Sequence, residues 1–229
     1  MSTEKKPLRI GVLYENTQMT DLAGLDIIGS MSSKTIDLIS GIEPKFEKYK
    51  SIATPMEFLY ISSTLEPAWT TPEMWVRPTH TYKDAPRDLD FILLGGPDPS
   101  KVHPESLEFL REASKQTKVI FTTCTGGMWL AASGVLDGKK ATTNRFLIEK
   151  SKEFWPNVEW QDQRWVVDAG HFEGAEIWTG GGAGCGIDMV AEYARKNFDK
   201  GLVEVSLMGL DFKPEQTHGQ FYTEPQAEY

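Results

Sequence analysis

The stretch Thr122-Thr123-Cys124-Thr125-Gly126-Gly127 decides the fold, because it joins an apolar run to a segment with a helical pattern. The apolar run is Val119-Ile120-Phe121, and the helical pattern covers residues 128–133. When a strand of a parallel sheet turns directly into a helix, the side chain at the turn lies at the carboxyl edge of the sheet. The positive end of the following helix favours an anionic nucleophile at that point. Cys124 is therefore the first candidate for chemistry.

Two further strand-like runs lead into glycines. Leu89 to Leu94 is followed by Gly95-Gly96-Pro97-Asp98, and Ile177-Trp178-Thr179 is followed by Gly180 to Gly184. Glycine lets a backbone approach a ligand closely and aim its N–H groups at it, although a turn that merely needs glycine explains Gly95 and Gly96 nearly as well. The glycines match neither a phosphate-binding loop nor a dinucleotide fingerprint.

Strand-like and helix-like segments alternate on both sides of the cysteine turn. Leu8 to Tyr14 has the pattern of a buried strand, and Leu22 to Ile39 has the length and apolar spacing of a helix. A helix with Pro104 near its start precedes the central strand, and Cys185 to Phe198 is predicted as another helix. Repeated β-α units predict an α/β fold whose mostly parallel central sheet is covered on both faces.

The segment from Ile42 to Arg87 departs from this alternation. Five prolines interrupt its β-like runs, among them Phe58 to Ile61 and Met74 to Val76, so we expect an irregular excursion with edge strands. The remaining predicted elements are a short strand at Ala141 to Asn144, a helix from Arg145 to Phe154, and a β-hairpin that pairs Arg164 to Asp168 with Ala175 to Trp178.

Composition describes one ordinary globular domain. The 229 residues are 40% hydrophobic and 25% charged, which predicts a single domain over residues 1–229, with its core at about 8–200 and a loosely ordered tail at 213–229. A net charge of -9 argues against nucleic-acid or anionic-membrane partners and favours a small-molecule substrate. Two cysteines and the lack of a signal-peptide core favour a reducing, cytoplasmic location.

Asp21 is a second candidate, because it ends the polar loop that follows the first strand. Ligands of open α/β sheets bind at the carboxyl ends of the strands, so Asp21 is expected near the same edge as Cys124. An aspartate directly before a helical segment is also a good N-cap, and position alone favours that role.

Five segments that occur in order resemble the ThiJ/PfpI superfamily, which is class I glutamine-amidotransferase-like. Within it the sequence is most similar to the isocyanide (isonitrile) hydratases and to the related domains of some transcription regulators. The segments are Asp21-Leu22-Ala23-Gly24, Leu93-Leu94-Gly95-Gly96-Pro97, Thr123-Cys124-Thr125-Gly126, Gly134 to Thr143, and Thr179-Gly180-Gly181-Gly182.

The resemblance implies a flavodoxin-like three-layer sandwich with a nucleophile elbow, usually in a homodimer that helps close each site. It implies that Cys124 is the nucleophile and that Asp21 is its carboxylate neighbour and catalytic acid. A carboxyl group held against a thiolate is expected to have a raised pKa and to stay protonated. The implied reaction converts an isocyanide to an N-formamide through a covalent thioimidate, with no metal or organic cofactor.

The same resemblance suggests which groups surround the sulfur. The backbone N–H groups of Gly96 and Thr125 would form a polar cradle beside the sulfur, and the neighbouring Gly95 is a candidate for the same oxyanion or substrate site. The Thr125 side chain would bind substrate or water. Gly181, Gly182 and Asn144 are candidate pocket residues.

Two positions depart from the wider superfamily, in which a histidine commonly follows the cysteine or lies near it. Thr125 follows Cys124, and Asn144 follows the Ala-Thr-Thr run where histidine is often found, so no Cys-His dyad is evident and peptidase activity is disfavoured. Two alternatives remain open: a glyoxalase-like or deglycase-like activity on α-oxoaldehydes, and a non-enzymatic redox-sensing stress protein in which Cys124 is oxidised to a sulfinate.

Overall fold

The computed structural model describes residues 5–212 and 218–226 of the chain. The strands are β1 (Leu8–Leu13), β2 (Met56–Ser62), β3 (Ala68–Thr70), β4 (Met74–Val76), β5 (His80–Thr81), β6 (Phe91–Leu94), β7 (Val119–Thr123), β8 (Lys140–Ala141), β9 (Glu159–Trp160), β10 (Trp165–Ala169) and β11 (Glu176–Gly180). The α-helices are α1 (Gly24–Gly29), α2 (Ser33–Ile42), α3 (Pro104–Ala113), α4 (Gly126–Ala132), α5 (Ile148–Phe154), α6 (Ala183–Asn197) and α7 (Lys200–Gly209). Short 3₁₀ helices occupy Met19–Leu22, Pro44–Tyr49, Pro99–Lys101 and Arg145–Leu147.

Seven strands form the central sheet in the order β10-β11-β7-β6-β1-β2-β5. All neighbouring pairs are parallel except β10 and β11, which form the predicted antiparallel hairpin. Because β1, β6 and β7 lie inside the sheet and are covered on both faces, their apolar runs are continuous rather than alternating. Their carboxyl ends meet at one edge, which places the segments after Leu13, Leu94 and Thr123 together.

Helices cover both faces of the sheet, and each face has its own apolar core. Side chains of α1, α2, α6 and α7 pack on one face, where Ile27 and Val190 are buried. Side chains of α3, α4 and α5 pack on the other face, where Phe109 and Trp129 are fully buried. The predicted flavodoxin-like three-layer sandwich with a mostly parallel sheet is confirmed.

The single helix predicted from Leu22 to Ile39 is wrong, since the chain forms two helices there. Helix α1 ends at Gly29 and α2 begins at Ser33. Ser32 between them has an extended backbone, and its side chain accepts a hydrogen bond from the Thr35 N–H at 3.2 Å. This N-cap stabilises a new helix start and changes the chain direction despite the continuous apolar spacing.

The segment from Ile42 to Arg87 contributes more to the sheet than its prolines suggest. Strand β2 pairs in parallel with β1 over six residues, and only the two-residue β5 lies outside it. Because β5 pairs only with Ile61 and Ser62, the outer side of Phe58 to Tyr60 has no strand partner in the described residues, and the edge-strand prediction is confirmed for this part of β2. Pro55 precedes β2, where its carbonyl accepts the Leu8 N–H and its missing N–H costs no ladder bond. Strands β3 and β4 form a separate two-stranded sheet.

The predicted strand at Ala141 to Asn144 is reduced to β8, which pairs with β9 outside the central sheet. The helix predicted from Arg145 begins with the 3₁₀ turn and continues as α5 to Phe154.

Part of the predicted tail, residues 213–217 and 227–229, lies outside the described residues. Residues 218–226 are described and run along the body of the protein: the Gln220 carbonyl accepts the Arg164 N–H at 2.8 Å, and the Gln220 side chain donates to the Trp165 carbonyl at 3.0 Å. In the described part of the chain, no helix has both the length and the apolar character needed to cross a membrane.

Candidate active site

Cys124 lies at a sharp turn between the end of β7 and the start of α4. Its φ is 58°, in the left-handed region that costs a non-glycine residue about 1–2 kcal/mol. Hydrogen bonds hold the turn: the Cys124 N–H donates to the carbonyls of Gly180, at 3.1 Å, and Gly181, and the Thr143 hydroxyl donates to the Cys124 carbonyl at 2.9 Å. The neighbouring strand and loop thus fix a strained backbone that carries the thiol at the carboxyl edge of the sheet.

Asp21 lies inside the 3₁₀ helix Met19–Leu22 rather than at its start. Gln18 is the N-cap residue of that helix, so the N-cap role for Asp21 is wrong. The Asp21 side chain is only 2% exposed, and its Oδ2 accepts the Gly96 N–H at 2.8 Å. Its Oδ1 is buried and accepts no conventional hydrogen bond within the described residues. The Cys124 side chain interacts with this carboxyl group, which brings the two predicted catalytic residues together.

Gly95 and Gly96 allow this close approach. A Cβ on Gly95 would lie 2.3 Å from the Thr17 Cγ2 and 3.2 Å from the Asp21 Cβ. A Cβ on Gly96 would lie 2.7 Å from the Asp21 Oδ2 and 2.6 Å from the Thr125 Oγ1. No side chain fits at either position without displacing the groups around the cysteine, so these glycines do more than form a turn.

The polar cradle differs from the one expected. The Gly96 N–H donates to the Asp21 Oδ2 rather than to the sulfur, so its role as a donor to an intermediate stays a prediction. The Thr125 N–H does hydrogen-bond to the Cys124 sulfur. The Thr125 hydroxyl donates to the Pro97 carbonyl at 2.6 Å, so it holds the loop after β6.

Asn144 supplies the second donor to the sulfur. Its Nδ2 lies 3.2 Å from the Cys124 Sγ, and its Oδ1 accepts the Phe146 N–H at 3.2 Å. The Phe146 bond fixes which end of the amide is the acceptor, and therefore directs the NH₂ group to the sulfur. Asn144 was predicted only as a pocket residue, and the structure places it in direct contact with the nucleophile.

Gly181 and Gly182 line the opposite side of the turn. The Gly181 N–H donates to the Arg164 carbonyl at 2.9 Å, while its carbonyl accepts the Cys124 N–H. Gly182 precedes α6, and a Cβ built on it would meet no atom within 4 Å. Gly181 therefore helps to hold the cysteine turn, whereas the space next to the Gly182 Cα is unfilled.

The pKa values of Asp21 and Cys124 are both raised. Burial raises the pKa of Asp21 from 3.8 to about 6, although the Gly96 N–H and the cysteine oppose the shift. Burial and then the negative charge of Asp21 raise the pKa of Cys124, while Asn144 and the Thr125 N–H lower it. The pair therefore avoids carrying two negative charges at neutral pH and shares one proton. The raised pKa expected for Asp21 is confirmed, but the expectation that Asp21 stays protonated is wrong: a pKa of about 6 leaves its carboxyl mainly ionised at neutral pH, and the shared proton lies mainly on Cys124. At Cys124, burial raises the pKa more than the positive end of α4 lowers it.

Other reactive groups lie apart from this pair. His80 hydrogen-bonds to Thr79, and the side chain of His103 caps α3. In residues 5–212 and 218–226, no three His, Cys, Asp or Glu side chains are grouped so that they could hold a metal ion. Cavities of about 690 and 440 Å³ lie elsewhere on the surface, so the functional assignment rests on the contacts of Cys124.

Residues 49–195 match the sequence profile of the DJ-1/PfpI family, which is more than half of the chain. The chain belongs to the DJ-1/PfpI family. It is 25% identical over 212 residues to the isonitrile hydratase of Pseudomonas putida, a match that covers 90% of this chain and 79% of that protein.

Solved structures show the same fold. A ThiJ/PfpI family protein from Pseudomonas syringae has a TM-score of 0.71 and 21% identity, over 92% of this chain and 77% of the other. An AraC family transcriptional regulator from Pseudomonas putida has a TM-score of 0.67 and 14% identity, over 89% of this chain and 100% of the other. At these identities the likeness establishes the fold alone.

Sequence reasoning missed a group of residues beside the site. Arg145 and Tyr222 contact each other next to Asn144 and Gly181. No short-range pattern connects positions so far apart in the chain. The only local signal was an arginine directly after Asn144.

Proposed function

We propose that this DJ-1/PfpI protein is a cysteine-dependent hydratase that converts a small isocyanide to an N-formamide. The observation that carries the proposal is the buried Asp21-Cys124 pair, whose raised pKa values leave one proton to be shared beside the nucleophile. No histidine contacts that pair in the described residues, so the carboxyl group is the proton carrier. The 25% identity to an isonitrile hydratase supports the same chemistry.

In the first half of the reaction, the Cys124 proton passes to Asp21 and the sulfur attacks the terminal carbon of the isocyanide. A carbon–sulfur bond forms, and the electron pair on that carbon takes the proton back from Asp21. The product is a thioimidate bonded to Cys124. The Asn144 NH₂ group and the Thr125 N–H stabilise the thiolate before attack and as it leaves.

In the second half, water adds to the carbon of the thioimidate. Asp21, now ionised, accepts a proton from that water and donates it to the imidate nitrogen, which gives a tetrahedral intermediate on Cys124. As this intermediate collapses, the remaining hydroxyl proton passes through Asp21 to the sulfur. The carbon–sulfur bond then breaks, its electron pair returns to sulfur, and the N-formamide leaves. The net reaction adds one water to one isocyanide and restores the proton shared by Asp21 and Cys124, so no external cofactor enters the balance.

Turnover of alkyl and aryl isocyanides tests the proposal. Formamide is followed in the wild type, Cys124→Ala and Asp21→Asn, with methylglyoxal in place of the isocyanide as a second substrate. We expect formamide from the wild type only, and little lactate from methylglyoxal. Lactate without formamide would support the glyoxalase-like alternative. No turnover of either substrate, together with one stable peroxide oxidation at Cys124, would support the redox sensor.

We also propose that the protein is a cytoplasmic homodimer. Large apolar side chains are exposed on α2 and on the hairpin of β3 and β4, namely Leu38 at 67%, Ile42 at 79% and Trp75 at 65%. Leu38 and Ile42 lie one helical turn apart on α2 and therefore form one exposed apolar patch, which is typical of an interface. Light scattering after size exclusion is expected to give twice the 25.7 kDa chain mass, and a monomer at micromolar concentration would exclude the dimer.

A further inference from the structure

The C-terminal strap, residues 218–226, reaches both sides of the cysteine turn. On one side the Tyr222 hydroxyl lies against Gly181, where an added Cβ would be 2.7 Å from the hydroxyl oxygen. The same hydroxyl is 3.7 Å from the sulfur of Cys185 in the first turn of α6. The carbonyl of Gly181 accepts the Cys124 N–H, so the strap packs against a residue that holds the strained turn.

On the other side the strap is held by Arg145, which directly follows Asn144. The Arg145 guanidinium stacks on the Tyr222 ring at 3.9 Å and donates to the Glu224 carbonyl at 3.0 Å. Its other contact is a two-point ion pair with Asp162, with both N–O distances at 2.8 Å. Arg145 is mostly buried, with 18% of its side chain exposed, so this arrangement is more ordered than a surface ion pair.

These contacts matter because Asn144 is oriented by the turn that contains Arg145: its Oδ1 accepts the Phe146 N–H at 3.2 Å, and its carbonyl accepts the Leu147 N–H at 2.8 Å. Its amide donates to the Cys124 sulfur from the N-cap of the 3₁₀ helix Arg145–Leu147. A displacement of Arg145 would move that N-cap and with it the NH₂ group on the sulfur. Donors must lie within hydrogen-bond distance to stabilise a thiolate, and small displacements are costly at a reacting atom.

We propose that Arg145 and Tyr222 are positioning residues, through which the C-terminal strap holds the Asn144 amide and the Gly181 carbonyl in place against the cysteine turn. The inference concerns the same site as the proposed hydratase function and rests on it only for the effect on turnover. It predicts that residues 20 or more positions from Cys124 in sequence, with no contact to the substrate, control the reactivity of its sulfur.

The pH dependence of Cys124 alkylation by iodoacetamide tests this without any isocyanide. Asn144 lowers the pKa of Cys124, so its removal in Asn144→Ala is expected to raise the alkylation midpoint by about 1 pH unit. Arg145→Gln and Tyr222→Ala are expected to raise it by about half a unit. Because the three residues act through one donor, adding Tyr222→Ala to Asn144→Ala is expected to cause little further shift.

One variant on the strap is a control. Phe221→Ala removes a neighbouring side chain that is 63% exposed, and it is expected to retain the wild-type midpoint within about 0.2 unit. Thermal unfolding confirms that each variant is folded under the assay conditions. Arg145→Lys, which keeps the charge but not the two-point ion pair, replaces Arg145→Gln if the latter does not fold.

The positioning role would be overturned if the alkylation midpoint were that of the wild type both in Tyr222→Ala and in the Arg145 variant that folds. It would also be overturned if the shifts of Asn144→Ala and Tyr222→Ala added fully in the double variant. Measurement of isocyanide turnover on the same proteins separates the two proposals. Normal turnover with an unchanged midpoint overturns the positioning role alone. A shifted midpoint in a protein that never converts isocyanide supports the positioning role and overturns the hydratase function.

Discussion

Asp21→Asn is expected to stabilise the protein at neutral pH while it abolishes turnover. The pKa of Asp21 is raised from 3.8 to about 6 in the folded state, because its buried carboxylate is poorly solvated. A group whose folded pKa is raised stabilises the folded state while it is protonated. That contribution is fully present below the unfolded pKa and disappears as the pH rises through the folded pKa.

The size of the effect follows from the shift. About 2.2 pKa units, at 1.36 kcal/mol each, give about 3 kcal/mol, of which roughly 2 kcal/mol is lost between pH 4 and pH 8. Asparagine cannot ionise, and its side-chain oxygen can still accept the Gly96 N–H. The gain in the free energy of unfolding of Asp21→Asn over wild type is therefore expected to be about 2 kcal/mol larger at pH 8 than at pH 4.

Urea unfolding of both proteins at the two pH values measures this difference. Asp37→Asn on α2, where 67% of the aspartate side chain is exposed, is the control and is expected to change stability equally at both pH values. A gain for Asp21→Asn that is the same at pH 4 and pH 8 would refute the view that Asp21 is a buried, poorly solvated carboxylate that costs stability at neutral pH.

Two further predictions concern the same site. The kcat/KM for isocyanide is expected to rise as the pH passes about 6, because Asp21 in the free enzyme then ionises and the Asp21–Cys124 pair keeps a single proton. It is expected to fall above the ordinary thiol pKa, because the pair then has no proton left to give to the isocyanide carbon. A kcat/KM that keeps rising to high pH would remove Asp21 from the proton transfer. Gly96→Ala places a methyl group 2.7 Å from the Asp21 Oδ2 and is expected to lower kcat at least about 10-fold and to cost about 1–3 kcal/mol of stability. Gly41→Ala, whose Cβ meets nothing within 4 Å, is the matched control and is expected to be neutral or to stabilise by up to about 1 kcal/mol; equal kinetics in the two variants would show that the crowding at Gly96 is unimportant.

The fold was predictable because its determinants are local. The apolar runs of β6, Phe91 to Leu94, and of β7, Val119 to Phe121, are four and three residues long, and β1 is apolar from Ile10 to Leu13 apart from Gly11. Each is followed by polar or glycine-rich segments at the same sheet edge, so the β-α alternation predicted both the sandwich and the meeting of Asp21 with Cys124. Helix breaks were less visible, since the N-cap at Ser32 interrupts an apolar pattern that continues on both sides of it.

The details of the site depend on the direction of individual bonds, which composition and spacing do not encode. The sequence placed Gly96 at the edge, but not the orientation of its N–H towards Asp21. It identified Asn144 as a substitution for histidine, but not its amide donor 3.2 Å from the sulfur. The contact of Tyr222 with Arg145 joins distant parts of the chain and has no periodic signal at all.

The most direct test of the central claim is mass spectrometry of the protein quenched during turnover of an isocyanide. The account predicts a transient adduct on the peptide that contains Cys124, with a mass increase equal to the whole isocyanide, because addition of the thiol loses no atoms. Asp21→Asn is expected to form less of this adduct, and Cys124→Ala neither adduct nor formamide. Formamide production by Cys124→Ala at the wild-type rate, with no adduct on the wild-type protein, would contradict it.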